Sequence, residues 1–212
     1  MKIIVFGASG GTGQEIVAQG IAHGHTVTAF VRNPDGLTRH AACRVITGDI
    51  FDAAAVADAI AGHSAVLSAL GPRSLKKEDL LARTLPKIAE GMQRHYVNRT
   101  IVLGAAGADR DYGKYQNRLT TLSLWVAKHT RFRYPYADQA EQERILAASD
   151  LDYTIVRPPR LTDGPITRTY RVTPDALPSG GRRISRADVA DFMLQQLTDP
   201  RFHRQGPYIA DL

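Results

Sequence analysis

The fold is decided by the stretch Ile3-Ile4-Val5-Phe6-Gly7-Ala8-Ser9-Gly10-Gly11-Thr12-Gly13. Its apolar start has the composition of a buried parallel strand, and Thr12–His23 then carries apolar side chains at helical spacing. Three glycines, each three residues from the next, fall in the turn between the two elements. A strand, a glycine-rich turn and a helix in this order predict the first half of a β-α-β unit.

The rest of the chain continues this alternation. Short runs rich in Val, Ile and Leu predict further buried strands at Thr26–Val31, Arg44–Thr47, Ala65–Leu70, Ile101–Leu103 and Tyr153–Val156, with a last one near Pro207–Ala210. Helical spacing predicts helices at Ala53–Ala61, Leu80–His95, Asp138–Ala148 and Arg186–Leu197. We therefore expect an α/β fold: a Rossmann-type doubly wound parallel sheet with helices on both faces and a small C-terminal lobe.

Composition supports a globular protein without covalent staples. The chain has 212 residues, 43% of them hydrophobic and 23% charged, and a single cysteine, Cys43. One cysteine excludes a disulfide framework and a thiolate zinc cluster. No stretch approaches the roughly 18 apolar residues of a membrane span, and the N-terminus lacks a signal-peptide pattern, so we expect a cytoplasmic protein. We interpret residues 1–212 as one domain, in which residues 159–184 form a substrate-side loop or small lobe.

The glycine-rich turn has the chemistry of a dinucleotide site. A glycine at position 7 permits a tight turn, Gly10 lets the backbone approach a pyrophosphate, and Gly13 lets the helix pack close to the strand. The free N–H groups at the start of the helix then face the anion. From this turn we expect cofactor contacts from Gly7, Ser9, Gly10, Gly11, Thr12 and Gly13.

The residues that end the next strands indicate which dinucleotide binds. The second strand ends at Arg32 with no acidic residue beside it, and a guanidinium suits the 2′-phosphate of NADPH. A solvated arginine at a strand end is the alternative. Asp49 follows the third strand and is placed to receive the adenine amino group. The other expected cofactor contacts are Ile50, next to it, and the end of the fourth strand, Leu70, Gly71 and Pro72.

No catalytic residue is identifiable from the sequence. None of the eight tyrosines has a lysine four residues later, and the pair Tyr153 and Arg157 falls in a predicted strand, where a packing role is expected. The segment Gly104-Ala105-Ala106-Gly107 offers no serine after the fifth strand. His23 and His25 have no nearby partners for a metal, so no metal site is expected.

In matching order, several segments resemble the atypical short-chain dehydrogenase/reductase family, which includes biliverdin reductase B (flavin reductase) and NmrA-like NAD(P)-binding proteins. The resemblance spans nearly the whole chain, and these segments carry it: Gly7–Gly13, Thr26–Arg32, Gly48–Ile50, Leu151–Pro159, Leu161–Pro165 and Ile184–Phe192. The resemblance implies an NADPH site at Gly7–Gly13 and Arg32, and a shallow substrate pocket above the nicotinamide. Pro158 and Pro159 match a double proline beside the nicotinamide in the flavin reductase branch.

Two residues depart from the pattern of that family. Ala106 stands where the flavin reductase branch has a serine, which removes a group that assists proton transfer. Gln139 stands where many relatives have a lysine; it can still hydrogen-bond a ribose but supplies no charge. Gln139 is therefore included among the expected cofactor contacts.

These observations favour an NADPH-dependent reductase that transfers hydride, without a Tyr-x-x-x-Lys relay, to a planar electrophilic acceptor: a flavin, a quinone or a linear tetrapyrrole. Such acceptors take hydride directly and can be protonated from water. The expected pocket residues are Ala106, Arg110, Tyr112, Trp125, Pro158 and Pro159, with a packing role for Trp125 left open. The alternative is a non-enzymatic NADP(H)-binding redox sensor whose cofactor state biases binding to a protein partner.

The net charge is +6, and the excess is concentrated in residues 71–135, which hold 13 basic and 5 acidic side chains. Many of these basic residues are dispersed along a predicted helix, and no DNA- or RNA-binding motif accompanies them. Part of the segment follows strands on the ligand side of the sheet. We therefore expect an anionic small molecule as ligand and no nucleic acid.

Overall fold

The computed structural model describes residues 1–38, 40–72, 74–108, 130 and 132–211. Its centre is a six-stranded parallel sheet with the order β3-β2-β1-β4-β5-β6. The strands are β1 (Lys2–Phe6), β2 (Thr26–Val31), β3 (Cys43–Thr47), β4 (Ala65–Ser68), β5 (Arg99–Leu103) and β6 (Asp152–Val156). The strand order reverses between β1 and β4, as in a Rossmann-type doubly wound sheet, which confirms the predicted fold.

Helices cover both faces of the sheet. They are α1 (Gly11–Ala22), α2 (Ala53–Ile60), α3 (Leu80–Arg94), α4 (Arg133–Ala147) and α5 (Arg186–Gln195). Alternate residues of β1 point to opposite faces: Ile3 and Val5 pack with α1 and α5, and Ile4 and Phe6 pack with α2, α3 and α4. Both faces of each central strand are therefore apolar, which explains the unbroken hydrophobic runs in the sequence.

The C-terminal strands pair outside the main sheet. They are β7 (Arg160–Thr162), β8 (Tyr170–Thr173), β9 (Arg183–Ser185) and β10 (Tyr208–Asp211). β7 pairs in parallel with β9, and β8 pairs antiparallel with β10. The strand expected near the C-terminus therefore exists, and its partner is β8. The substrate-side role of residues 159–184 stays a prediction.

The start of α5 ties these segments to the sheet. The Asp188 N–H donates to Ser185 Oγ at 2.9 Å, so Ser185 caps the start of this helix. The Asp188 carboxylate in turn accepts from the N–H groups of Thr167 and Arg168, at 2.7 and 2.8 Å. One acidic side chain thus fixes both the helix and the segment that precedes β8.

A buried arginine moves the start of β5 two residues earlier than the sequence pattern indicated. Arg99 is 8% exposed. Its guanidinium donates to Asp152 Oδ1 at 3.1 Å, to Thr154 Oγ1 at 2.7 Å and to the Gln196 carbonyl at 2.6 Å. A charged residue can occupy a central strand here because its donors find acceptors on β6 and after α5.

The N-terminus of α3 is capped from another helix. The Asp138 carboxylate, on α4, accepts the N–H groups of Leu81 and Ala82, each at 2.9 Å. This contact joins segments 57 and 56 residues apart and fixes the connection that leads from β4 into α3. Among the described residues, no helix is both long and apolar enough to span a membrane.

Candidate cofactor site

A cavity of about 840 Å³ opens at the carboxyl edge of the sheet, beside the point where the strand order reverses. Open α/β sheets bind ligands at this position. Eight of the residues expected at a cofactor site line the cavity: Gly7, Ser9, Gly10, Arg32, Asp49, Ile50, Leu70 and Gly71. The structure therefore brings together residues from the ends of β1, β2, β3 and β4.

The glycine-rich turn is held in a shape that only glycine permits at two positions. Gly7 has φ +76°, and a Cβ there would lie 2.7 Å from the carbonyl carbon of Ala69. A Cβ at Gly13 would lie 2.1 Å from the carbonyl oxygen of Gly7. The Gly10 N–H donates to that same oxygen at 3.0 Å. The turn is thus folded back against the start of α1.

The start of α1 is shaped for an anion. Gly10 occupies the N-cap with extended backbone, and within the described part of the chain no side chain caps the helix. Ser9, Gly10 and Gly11 are exposed, while Thr12 and Gly13 are buried behind them. The first N–H groups of a helix bind phosphate in this arrangement. The glycine cradle and the uncapped helix therefore fit a dinucleotide pyrophosphate.

Arg186 adds a positive charge to this turn, which the sequence pattern did not indicate. A Cβ on Gly11 would lie 2.6 Å from Arg186 Cδ and 2.8 Å from its Nε. The arginine comes from the first residue of α5, packed beside α1, and it also pairs with the exposed carboxylate of Asp163. Only the packing of two helices distant in sequence brings it there.

The loop after β2 begins with Arg32, the residue expected to bind a 2′-phosphate. Arg32 is exposed at the end of β2 and lines the cavity. Asn33 Oδ1 accepts the Asp35 N–H at 2.9 Å and caps a single 3-10 turn, Pro34–Gly36. Leu37 is buried against the core and anchors the far end of the loop. Of the residues that line the cavity, those at the end of β2 and directly after it include no aspartate or glutamate.

The ends of β3 and β4 form the opposite wall. Asp49 Oδ1 accepts the Phe51 N–H at 2.9 Å, which fixes the turn that presents Ile50 to the cavity. β4 ends at Ser68, two residues earlier than expected, because the chain leaves the sheet to form the wall with Leu70 and Gly71. Pro72, the next residue in the chain, is not among the residues that line the cavity.

The cavity also uses residues that the sequence analysis missed. The Arg83 guanidinium lies 4.5 Å from the ring centroid of Phe51, a cation–π contact at the cavity wall. Glu78 lines the same wall, and the Ser74 hydroxyl donates to it at 2.7 Å. Arg83 lies on a helix and Phe51 follows a strand more than thirty residues earlier. Neither carries a local signal, so only the tertiary structure identifies the pair.

Around β5 and β6 the expected residues are mostly packed. The Ala106 N–H donates to the Pro158 carbonyl at 2.9 Å, so these two residues are neighbours as expected. Ala106 is only 1% exposed and packs with Leu177, Tyr208 and Ala210. Pro158 is buried and Pro159 is half-buried. The expected pocket residues Arg110, Tyr112 and Trp125 lie outside the described residues.

Gln139 is held near the end of β5 by a second glutamine. Gln142 Nε2 donates to the Leu103 carbonyl at 3.1 Å and to Gln139 Oε1 at 3.2 Å. Because the carbonyl end of Gln139 accepts this bond, its NH₂ group is the end that remains for donation to another group. Gln139 is 6% exposed and is not among the residues that line the cavity.

Tyr136, in the first turn of α4, reaches the same edge of the sheet. A Cβ on Gly107 would lie 2.6 Å from the Tyr136 hydroxyl oxygen, so the phenol fills the space beside that glycine. Burial raises the pKa of the Tyr136 phenol above its ordinary value, so it stays protonated at neutral pH.

The pair Tyr153 and Arg157 has the packing role that the sequence suggested. Arg157 binds the Glu143 carboxylate through two nitrogens, at 2.9 and 2.8 Å, and donates to the Gly206 carbonyl at 2.7 Å. Tyr153 is buried in the core on one face of the sheet. Within the described residues, no group of three or more His, Cys, Asp or Glu side chains is placed to hold a metal.

Comparison with known proteins agrees with this geometry. The sequence model of the NAD(P)H-binding family matches residues 7–200. The protein YwnB of Bacillus subtilis is 29% identical over 210 residues, covering 94% of this chain and 93% of its own. Two solved structures, each 24% identical, share the fold over 100% of this chain. SP1627 of Streptococcus pneumoniae, a candidate NADH-flavin reductase, matches over all of its own chain with a TM-score of 0.82. ChuY of Escherichia coli O157:H7, an anaerobilin reductase, matches over 97% of its own chain with a TM-score of 0.79.

Proposed function

Because the chain belongs to the NAD(P)H-binding family, we propose that it is an NADPH-dependent reductase that transfers hydride to a planar electrophilic acceptor. The acceptor would be a flavin, a quinone or a linear tetrapyrrole. The observation that carries the proposal is the cavity in which the glycine turn, Arg32 and Asp49 meet at the reversal of the strand order. A bound dinucleotide would supply the hydride, and the chain's own residues would bind and orient it.

The preference for NADPH rests on charge at the end of β2. Arg32 lines the cavity at the position where an NAD-selective site would place a carboxylate for the ribose hydroxyls. A carboxylate there would repel a 2′-phosphate, whereas a guanidinium attracts it and can bind two of its oxygens at once. Arg186, beside Gly11, would support the neighbouring pyrophosphate.

Three residues at the β5–β6 edge would orient the nicotinamide end. Gln139 would donate its NH₂ group to the ribose, because Gln142 already occupies its carbonyl oxygen. Pro158 and Pro159 would form the floor on which the reacting ring lies. Neither group exchanges a proton, so positioning is the main contribution that these residues make to the rate.

The acceptor class is supported by the departure from the family pattern at position 106 and by proteins that share the fold. Ala106 has no hydroxyl for proton transfer where the flavin reductase branch has a serine. Flavins, quinones and tetrapyrroles accept hydride into a conjugated system and can then take a proton from water. Two proteins of the same fold are named as a candidate NADH-flavin reductase (SP1627) and as an anaerobilin reductase (ChuY).

The test is turnover with each acceptor class. Purified protein should oxidise NADPH in the presence of FMN, menadione or biliverdin, with NADH a poorer donor at equal concentration. The control is Arg44→Ala, which removes an exposed arginine on β3 that does not line the cavity and should leave the rates unchanged. Absence of turnover with all three acceptors at high protein concentration would contradict the proposal.

A cofactor-dependent sensor is the second candidate. It is favoured by Ala106, which is buried and has no hydroxyl to assist proton transfer. A sensor must bind NADP⁺ and NADPH with different affinities and must have a partner that responds to the difference. Equal affinities would contradict this candidate. For either function we place the protein in the cytoplasm, where a free thiol such as that of Cys43 stays reduced.

A further inference from the structure

Gln14, on the first turn of α1, joins three segments of the cofactor site. Its Nε2 donates to the Ser9 carbonyl at 3.2 Å and to the Gly36 carbonyl at 3.4 Å. Its Oε1 accepts the Thr38 hydroxyl at 2.6 Å. One amide therefore connects the glycine turn to two neighbouring positions, Gly36 and Thr38, in the loop that follows Arg32.

The loop after Arg32 contains one 3-10 turn, Pro34–Gly36, which lies close to the glycine turn. Within the loop, Asn33 Oδ1 accepts the Asp35 N–H, and the Leu37 side chain packs in the hydrophobic core. Gly36 approaches Ser9 closely, since a Cβ at Gly36 would lie 3.7 Å from Ser9 Cβ. Residues 33–36 are exposed, and the Gln14 amide forms a polar link across the gap.

We propose that Gln14 is a specificity-determining positioning residue, which sets the preference for NADPH over NADH by holding the Arg32 loop against the glycine turn. This inference rests on the proposed function, because it concerns the same cofactor site. The glycine turn meets the pyrophosphate that both cofactors share, whereas Arg32 meets only the 2′-phosphate. A residue that fixes the distance between the two elements therefore acts on one cofactor and leaves the other unaffected.

Three variants separate the contacts. Gln14→Ala removes all three hydrogen bonds. Gln14→Glu keeps an acceptor for Thr38 but cannot donate to the carbonyls of Ser9 and Gly36. Thr38→Val removes a single bond. The matched control is Gln19→Ala, on the same helix, whose amide donates to the Ala187 carbonyl at 3.0 Å, away from the cavity.

Titration calorimetry with NADP⁺ and with NAD⁺ measures the two dissociation constants for each variant, independently of turnover. We expect Gln14→Ala to weaken NADP⁺ binding about tenfold, equivalent to about 1.4 kcal/mol, and to leave the NAD⁺ constant within about twofold. Gln14→Glu should weaken NADP⁺ at least as much, and Thr38→Val about threefold. Gln19→Ala should leave the ratio of the two constants at its wild-type value.

The outcomes that contradict the inference differ from those that contradict the function. Equal weakening of NADP⁺ and NAD⁺ by Gln14→Ala would show that the residue only supports the fold of α1. Unchanged dissociation constants for both cofactors in Gln14→Ala, with a wild-type preference for NADP⁺, would overturn the role of Gln14 alone. A wild-type ratio near one would overturn the NADPH preference and the role of Gln14 together. Thermal unfolding of every variant identifies any loss that comes from the fold.

Discussion

The two halves of the ligand-side edge are built in different ways. Around β1, β2 and β4, a backbone turn and several side chains surround a cavity of about 840 Å³. Around β5 and β6, the described side chains turn inward: Ala106 is 1% exposed, and Arg157 is tied to Glu143 at 2.8 Å. The first half is open and shaped for a ligand, while the described part of the second is packed and supports it.

This difference assigns separate tasks to the two halves. Substitutions on the open half should change cofactor affinity more than stability. Substitutions of side chains on the second half that pack away from the cofactor, such as Arg157, should change stability more than affinity. Each variant below is therefore measured twice, once for its NADP⁺ dissociation constant and once for its free energy of unfolding.

The largest effect is expected for Gly13→Ala. Its Cβ would lie 2.1 Å from the Gly7 carbonyl oxygen, so the turn must open. NADP⁺ binding should weaken at least about a hundredfold, with a loss of stability of up to about 3 kcal/mol. The control is Gly164→Ala, whose added Cβ would be in ordinary contact at 3.5 Å with Ser185 Cβ. Normal NADP⁺ affinity in Gly13→Ala would show that the turn does not form the site.

On the packed half, Arg157→Ala should destabilise the protein by about 3 kcal/mol in urea unfolding, because Glu143 loses its partner while half-buried. NADP⁺ affinity of the folded variant should stay close to that of the wild type. The control is Arg144→Ala, which breaks the exposed Arg144–Glu141 pair and should leave the unfolding midpoint unchanged. A tenfold loss of NADP⁺ affinity in Arg157→Ala would contradict the division of this edge into a ligand-binding half and a packed half.

Returning to the open half, Arg32→Ala should weaken NADP⁺ binding about thirtyfold, as expected for the loss of charge-assisted hydrogen bonds to a phosphate. NAD⁺ binding and the unfolding free energy should change little, because Arg32 is exposed. Arg32→Lys should recover part of the affinity, since it restores charge but not the fork. Equal loss for both cofactors would show that Arg32 contacts the shared part of the dinucleotide.

The smallest effect concerns pH and the far edge of the sheet. His63 Nε2 lies 2.8 Å from Thr28 Oγ1 and Nδ1 lies 3.1 Å from the Ile60 carbonyl oxygen. Burial lowers the pKa of His63 below its ordinary value of 6.5, so the folded state favours the neutral ring. Stability from this group is present above that value and is lost as the pH falls through it, because the unfolded chain takes up the proton first.

His63→Asn should therefore flatten the pH dependence of unfolding between about pH 8 and about pH 5.5, with no change in NADP⁺ affinity. The measurement is urea unfolding of both proteins at the two pH values. A wild-type protein that becomes more stable on acidification through this range, with the variant unaffected, would contradict the sign of the effect.

Local sequence patterns predicted residues that the structure brings together at the cavity, and the reason is physical. The glycine turn, Arg32 and Asp49 act through short stretches of backbone next to strand ends, so their spacing is visible in the sequence. Asp52 likewise caps α2 one residue before the helix begins, at 2.9 Å from the Ala54 nitrogen. Such features depend on neighbours two or three residues away.

The remaining features depend on contacts between distant segments. Arg186 reaches Gly11 only because α1 and α5 pack side by side, and Arg83 meets Phe51 only across the cavity. Arg99 lies in a central strand because acceptors from β6 and the end of α5 surround it. No pattern within a single element reports these contacts, so the sequence placed the cavity but not its whole wall.

The central claim is that the protein binds NADPH at this edge of the sheet and delivers its hydride to an acceptor. Single-turnover oxidation of NADPH by menadione, compared between NADPH and each of its two C4-deuterated forms, tests this directly. The account predicts oxidation that depends on the protein and is slower for one of the two deuterated forms, because the site orients one face of the ring. Tight binding of NADPH with no protein-dependent oxidation would contradict this claim and would favour the cofactor-dependent sensor.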